Sequence, residues 1–502
     1  MDASTLQELM AEHPPEPFVR TMARLAAEDP EFVALTCGDE TLTRRGLEQR
    51  SNRLARVYLD RGVAHGDYVV LALPNGIDFY VAFFAALKVG AVPMPLSYRL
   101  PAAERRAIVD LAEPALLVGV DPADHPGYAA LPPGFEPDPG VSDAPLPEVV
   151  SPSWKAPTSG GSTGRPKIIR AGSGAEGSPA FNMFAWEYRP DDTQVVVGPL
   201  YHNMSLASSI GGLLLGQHVV VMRRFDPEEL LTLIARHRIT WLTVVPTMMH
   251  RMLRVIRAGG EWDLSSVRLM YHMASKCPEW LKEAWIELIG PEKIVEIYGG
   301  TESIVVTRIT GTEWLEHRGS VGRPLLGDIK ILDDDGNEAP PGVVGEIYMK
   351  RDDGLPPAYE YVGAEPKRRN GWETLGDLGW KDEDGYLYIS DRRVDMIVTG
   401  GANVYPAEVE AAIDEHPKVL SSVVVGLPDD DLVSRVHALV QAEPGTTEEE
   451  ILDHLSQRLV RYKVPRSIEF IDRPLRDDSG KVRRARMREE AIARMKQKTG
   501  RA

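Results

Sequence analysis

The chain has 502 residues, enough for two to four structural units at about 100–200 residues each. Its 43% hydrophobic and 26% charged residues match an ordinary globular balance and exclude global disorder. With 57 Lys+Arg against 74 Asp+Glu, the formal charge of −17 argues against a protein that neutralises a phosphate backbone, though not against one small nucleotide held locally.

Residues 45–60 place Leu47, Leu54, Val57 and Tyr58 along one side at helical spacing. Residues 68–73 form a short β-rich run closed by the turn signal Pro74-Asn75-Gly76. A helix over 77–89 and a strand from about 90 follow, and the same rhythm continues with strands at 195–197, 218–222, 240–245 and 293–297. This alternation predicts a parallel sheet covered by helices on both faces. The Pro- and Gly-rich stretch 122–157 reads as a long irregular connection. No apolar run reaches the ~20 residues of a membrane helix; the best, 210–222, is interrupted by Gln217 and His218. The start, Met1-Asp2-Ala3-Ser4, lacks a basic-then-apolar leader pattern. Cys37 and Cys277 are too few and too far apart for a disulfide framework, so a reducing, cytoplasmic setting is expected.

After about residue 322 the pattern changes to short strands with Asp-Gly turns at 335–336 and 384–385, a β-rich subdomain extending to about 392. The remainder has its own small α+β pattern: a helix over 407–416, strands over 419–425 and 436–442, and a helix over 448–459. The expected fold is α/β, with a large N-terminal domain over 1–392 and a small α+β C-terminal domain over 393–502.

The chemistry concentrates in a few motifs. Thr158, Ser159, Gly160, Gly161, Ser162, Thr163 and Gly164 lead into Arg165-Pro166-Lys167. Glycines let successive backbone amides turn toward one anion, the hydroxyls add donors, and Lys167 adds a cation. Because Lys167 follows Pro166 and is not followed by Ser or Thr, this is not the GxxxxGK[ST] loop. Further on, Tyr298-Gly299-Gly300-Thr301-Glu302 follows a predicted strand, and a glutamate there suits Mg²⁺ beside a triphosphate. Asp377, within Gly376-Asp377-Leu378-Gly379, suits two ribose hydroxyls. Arg392 stands at the proposed domain boundary, Gly400-Gly401 feeds a helix, and Lys481 follows a Gly turn.

This ordered set resembles the AMP-forming, acyl-adenylating enzymes: acyl-CoA synthetases, nonribosomal adenylation domains and firefly-type luciferases. The doubled glycine, Gly160-Gly161, is similar to the loop of ligases for bile acids and steroid-derived acids. The resemblance spans essentially the whole chain. It implies that 158–167 cradle the β- and γ-phosphates of ATP, that Tyr201-His202 lines the carboxylate entrance, and that Tyr298 lies against adenine. It also implies Thr301 near the α-phosphate, Glu302 on Mg²⁺, Asp377 and Arg392 on the ribose, and Lys481 bridging the acid and the adenylate phosphate. The C-terminal domain is then a mobile lid that rotates between adenylation and acyl transfer.

The implied reaction is activation of a carboxylic acid to acyl-AMP with release of pyrophosphate, followed by transfer to coenzyme A. Transfer to an amine, or a non-catalytic nucleotide sensor on the same fold, are the competing readings. The implied partner is a small-molecule acid, with no nucleic acid and no membrane span; a homodimer is compatible with the resemblance. The basic run 481–488 reads as a solvated helix that presents Lys481.

Three positions depart from the family pattern. His272 to Lys276 replace a small Gly/Ala loop, and their side chains are expected to narrow or re-polarise the adenine wall. Val394 stands where a hinge Asp or Lys is common, and Arg476-Asp477-Asp478-Ser479 precede the C-terminal glycine. Trp241, Met248, Met249, Ser208, Gly211 and Gly212 fit either a sizeable acyl pocket for a bulky cyclic or aromatic acid or ordinary core.

Overall fold

A computed structural model describes residues 3–159, 166–399, 402–429, 432–477 and 480–499. The heart of the molecule is a nine-stranded sheet. In spatial order its parallel strands are Ile294–Tyr298, Leu269–His272, Trp241–Val244, Thr193–Val196, His218–Val221 and Val33–Cys37. Antiparallel strands close both edges: Val306–Thr310 and Arg323–Leu326 on one, Glu40–Thr43 on the other. The parallel strands are apolar along almost their whole length, as burial on both faces requires. A second, four-stranded parallel sheet contains Val92–Pro95, Tyr68–Leu71, Leu116–Val118 and Ala130–Leu131. Between the two sheets runs helix Ile77–Lys88, buried at every residue except Asp78. Even Lys88 is inside, paired with Glu48 at 2.6 Å.

The segments joining these sheets to the β-rich region position the site. Thr158–Ser159 and Lys167–Ala171 form a hairpin whose outer neighbour is Tyr359–Val362, so residue 361 lies opposite residue 169. This strand was expected within the β-rich subdomain, yet it pairs with the strand that follows the phosphate loop. A five-stranded antiparallel sheet holds Asp328–Leu332, Gly345–Lys350, Trp372–Lys381, Lys367–Arg369 and Leu387–Arg392. Its last pairing sets Asp377 directly across from Arg392.

The C-terminal region has a separate three-stranded sheet of Val419–Asp429, Val433–Ala442 and Ser467–Phe470, covered by helices Pro406–Asp414, Glu448–Ser456 and Arg484–Thr499. Its basic stretch is largely occupied within the protein. Arg483 pairs with Glu104 at 3.3 Å, Arg486 with Glu490 at 2.9 Å, and Arg488 donates to the carbonyl of Gly426 at 2.7 Å. Arg484 is bonded to Glu410 and lies 3.4 Å from Asp395. The simple expectation of a solvated helix therefore holds for its outer face alone. No helix among the described residues is long and apolar enough to cross a membrane.

Candidate active site

The hairpin that ends in Lys167 and the loop that follows Ile294–Tyr298 converge in a crevice between the large region and the C-terminal region. Lys167 Nζ donates to Glu302 Oε1 at 3.2 Å and to the Tyr361 hydroxyl at 2.9 Å, with the Tyr361 ring centroid 4.1 Å away. The Tyr361 hydroxyl donates in turn to the same Glu302 oxygen at 2.5 Å. Burial first, and then the Glu302 charge, push the Tyr361 phenol far up, so it remains a neutral donor. The Glu302 side chain is only 8% exposed, and Oε2 has no hydrogen-bond partner among the described residues. Gly300 has to be small here: a Cβ would stand 2.5 Å from Leu375 Cδ1 and 2.7 Å from Glu302 Oε2.

A second cluster adjoins the first. The Tyr298 hydroxyl donates to Asp377 Oδ2 at 2.7 Å, and Arg392 Nε lies 3.3 Å from Asp377 Oδ1. The Asp377 side chain is 11% exposed, while Arg392 is largely in solvent. The cross-strand register of the hairpin creates this pair, and Tyr298 reaches it from the end of the central sheet.

The third component comes from the C-terminal region. Gly480, at φ +77°, brings its loop against Val245 and Thr247, so close that a Cβ would meet Val245 Cγ2 at 2.9 Å. This contact lodges Lys481 in the crevice. The residue as a whole is exposed, but burial of its amine by the surrounding protein lowers its pKa; Arg392 adds to that, while Asp477 and Glu302 pull the other way. His202 faces the same space. Burial, helped by the Lys481 charge, lowers its pKa to about 4, so the imidazole is neutral at pH 7. Lys481, Glu302, Arg392 and His202 thus share one electrostatic environment, although they come from four separated stretches of chain.

The structure brings together Lys167, Glu302, Tyr298, Asp377, Arg392, Lys481 and His202. Thr301 and Gly299 lie in the loop beside Glu302, and Thr158 and Ser159 pair with Ile168 and Lys167 across the hairpin. Gly160, Gly161, Ser162, Thr163 and Gly164, together with Gly400-Gly401 and Ser479, lie outside the described residues.

One expectation is corrected and one open choice is decided. The side chains of 272–276 were expected to narrow or re-polarise the adenine wall, but His272 and Met273 are buried inward, Ser275 is half-buried, and Ala274 and Lys276 carry the exposed part of that loop. Ala274, at φ +75°, makes the reversal. Likewise Trp241, Met248 and Met249 belong to the packed interior: Trp241 lies edge-on to Tyr188, and the Met249 carbonyl accepts from Trp285. Gly212 abuts the paired amides of Gln194 and Gln217, and Gly211 abuts Asn182. Their apolar character reflects core packing.

Sequence reasoning missed Tyr361, Lys155 and Asn203. Nothing in the spacing of Tyr361 announces it, because strand pairing alone carries it to Lys167. Lys155, just before the phosphate loop, is 5% exposed and donates to the Asn203 side chain, with its Nζ 4.3 Å from the Trp154 ring centroid. Burial lowers its pKa to about 7, against the pull of Glu302.

The residues also suit a divalent cation. Among the described residues, no three His, Cys, Asp or Glu side chains converge as a closed metal cage. Mg²⁺ typically takes one or two carboxylates together with substrate phosphates and water. The free Oε2 of Glu302, beside Lys167, provides one such ligand.

A hydroxyl- and glycine-rich loop in the sequence, and a crevice that gathers Lys167, Glu302, Asp377 and Lys481 from separated stretches of chain, are features of a nucleotide-binding enzyme. A family model described as AMP-binding enzyme matches residues 22–359, and one described as AMP-binding enzyme C-terminal domain matches residues 408–481. The chain belongs to the AMP-binding enzyme family. It is 30% identical over 480 residues to a 2-succinylbenzoate–CoA ligase of Bacillus licheniformis, covering 91% of this chain and 97% of that one. It is 31% identical over 504 residues to the fatty acid–[acyl-carrier-protein] ligase ScoC of Streptomyces coeruleorubidus, covering 94% and 96%. Among solved structures it is similar to o-succinylbenzoate CoA synthetase (MenE) from Bacillus subtilis in complex with the acyl-adenylate intermediate OSB-AMP. That match has a TM-score of 0.80 and 25% identity, covering 94% of this chain and 98% of the other. The same protein in complex with ATP and magnesium ion gives 0.79 and 25%, covering 94% and 99%.

Proposed function

We propose that this protein activates a carboxylic acid with ATP, forming acyl-AMP and releasing pyrophosphate, and then transfers the acyl group to coenzyme A. The observation that carries this reading is the convergence of Lys167, Glu302, Asp377 and Lys481 on one crevice between two lobes. A carboxylate attacking an α-phosphate brings two anions together, and oriented donors and cations have to offset their repulsion as charge moves onto pyrophosphate. In this reading Lys167 and the loop 158–164 hold the β- and γ-phosphates, with Thr301 near the α-phosphate. Tyr298 and Gly299 border the adenine, and Asp377 and Arg392 hold the ribose. Lys481 bridges the carboxylate and the α-phosphate, and neutral His202 borders the acid. Mg²⁺ held by Glu302 supplies additional positive charge to the phosphates.

The domain boundary at 392/393 is part of the same proposal. It is supported by the end of strand Leu387–Arg392 and by the turn that follows, where Asp395 N–H donates to the Arg392 carbonyl and Val394 is 70% exposed. Rotation about this turn would carry Lys481 out of the crevice after adenylation.

An opening beside Tyr201 is lined by Arg99, Arg223 and Arg224, a concentration of guanidinium groups suited to a phosphate-rich acceptor such as coenzyme A. Product mass analysis with coenzyme A, an amine mixture or a carrier protein distinguishes the acceptors; an amide formed in preference to a thioester would overturn the proposed second step. Cytoplasmic residence draws support from the two buried free cysteines. Light scattering of the purified protein distinguishes a monomer from the homodimer that the family resemblance allows.

A further inference from the structure

Lys155 lies outside the machinery described so far. It is buried, and its ammonium makes one hydrogen bond among the described residues, to the side-chain oxygen of Asn203. Among the described residues no carboxylate lies within ion-pair distance of it. Burying a cation without a counter-ion is costly, and an apolar side chain would fill the same space without that cost. The chain nevertheless keeps an amine here, one that burial holds near the point of half-protonation at pH 7.

Asn203 explains what that charge does. It is the first residue of helix Asn203–Leu214, directly after His202, and it is half-buried. Lys155 Nζ donates to the amide oxygen of Asn203, and in its protonated form it has donors only, so it then holds the oxygen facing Lys155 and the NH₂ group turned away. That NH₂ group has no hydrogen-bond partner among the described residues. The turn 201–203 borders the crevice, since His202 senses the Lys481 charge and Lys155 senses that of Glu302.

We propose that Lys155 is a positioning residue that fixes the Asn203 amide so that its NH₂ group donates a hydrogen bond to the carboxylate of the incoming acid. Lys155 polarises the amide from behind and strengthens the donor. This rests on the acid-activating reading above and adds to it a residue that selects for the anionic acid.

The test is acid-dependent exchange of pyrophosphate into ATP by the full-length protein, with octanoate, benzoate and 2-succinylbenzoate as probes. K155M and N203A are expected to raise the KM for the acid on the order of tenfold, with the KM for ATP within about twofold. The double variant is expected to be no worse than either single one, because the two side chains act as one unit. N203D guards against a folding artefact. It keeps the contact to Lys155 and adds a counter-ion, so its melting temperature should equal or exceed that of the wild type, yet it turns an acceptor toward the acid and should raise the acid KM more than N203A does. An acid KM unchanged in N203D, or losses in K155M shared equally between acid and ATP, would overturn the inference while leaving acid activation intact. A wild type inert with every probe would instead overturn the acid-activating reading itself.

Discussion

Lys167 is held by two oxygens of different kinds, the carboxylate of Glu302 and the phenol of Tyr361, and its ammonium is therefore positioned before any phosphate arrives. Replacing Tyr361 with Phe removes one hydrogen bond from each partner while keeping the ring beneath the cation. A loss of about 1 kcal/mol, or roughly fivefold in kcat/KM for ATP, is expected in the pyrophosphate-exchange assay. Lys481 makes a step-specific prediction. Lys481→Ala should slow adenylation by about 10²–10³-fold, the scale for removing one charge-stabilising donor, while supplied acyl-AMP is still converted to thioester at near wild-type rate. Equal loss in both half-reactions would contradict its assignment. The Lys481 pKa is lowered first by burial, and the bridging role needs the ammonium. Adenylation should therefore decline with rising pH before the ordinary lysine range is reached. His202, neutral at pH 7, contributes no charge to this profile.

At the scale of elements, one hairpin creates the Asp377–Arg392 pair by placing the two residues in register, and Tyr298 meets them from another sheet. Asp377→Ala should raise the KM for ATP about tenfold without unfolding the sheet, as measured by steady-state kinetics beside a thermal melt. The alternating strands and helices of the large domain were legible because its parallel strands are short, largely apolar runs separated by helical periodicity. The motif residues stood out in the sequence because their types suit phosphate and ribose chemistry, the roles proposed for them here. Tyr361 was not, because strand pairing alone brings residue 361 to residue 167. Trp241 and Met248 fitted two readings for a related reason: apolar residues look alike in sequence whether they line a pocket or fill a core.

The C-terminal helix Arg484–Thr499 is tied to its domain by a buried network. Burial alone would raise the Glu410 carboxyl, but Arg484 and Arg476, with the Val424 N–H, hold it below the usual value of 4.5. A depressed carboxyl pKa contributes stability that is complete above the unfolded value and disappears as pH falls through the folded one. Arg484→Met leaves a buried carboxylate short of a partner and should cost about 3 kcal/mol. In thermal melts between pH 3 and 7 the variant should lose most at neutral pH and converge on the wild type in acid.

Across the whole molecule, the account rests on a docked arrangement in which the Gly480 loop packs on Val245 and Thr247 and delivers Lys481 beside Glu302 and Arg392. That arrangement was readable in outline, since the lone lysine after a glycine turn fitted the family pattern. The seating of its loop depends on contacts that sequence spacing does not encode. The most direct test is exchange of labelled pyrophosphate into ATP, with Mg²⁺ and a broad panel of carboxylic acids. The account predicts label incorporation that requires an acid and that falls about 10²–10³-fold in Lys481→Ala. Incorporation by no acid in the panel, or incorporation independent of added acid, would contradict it.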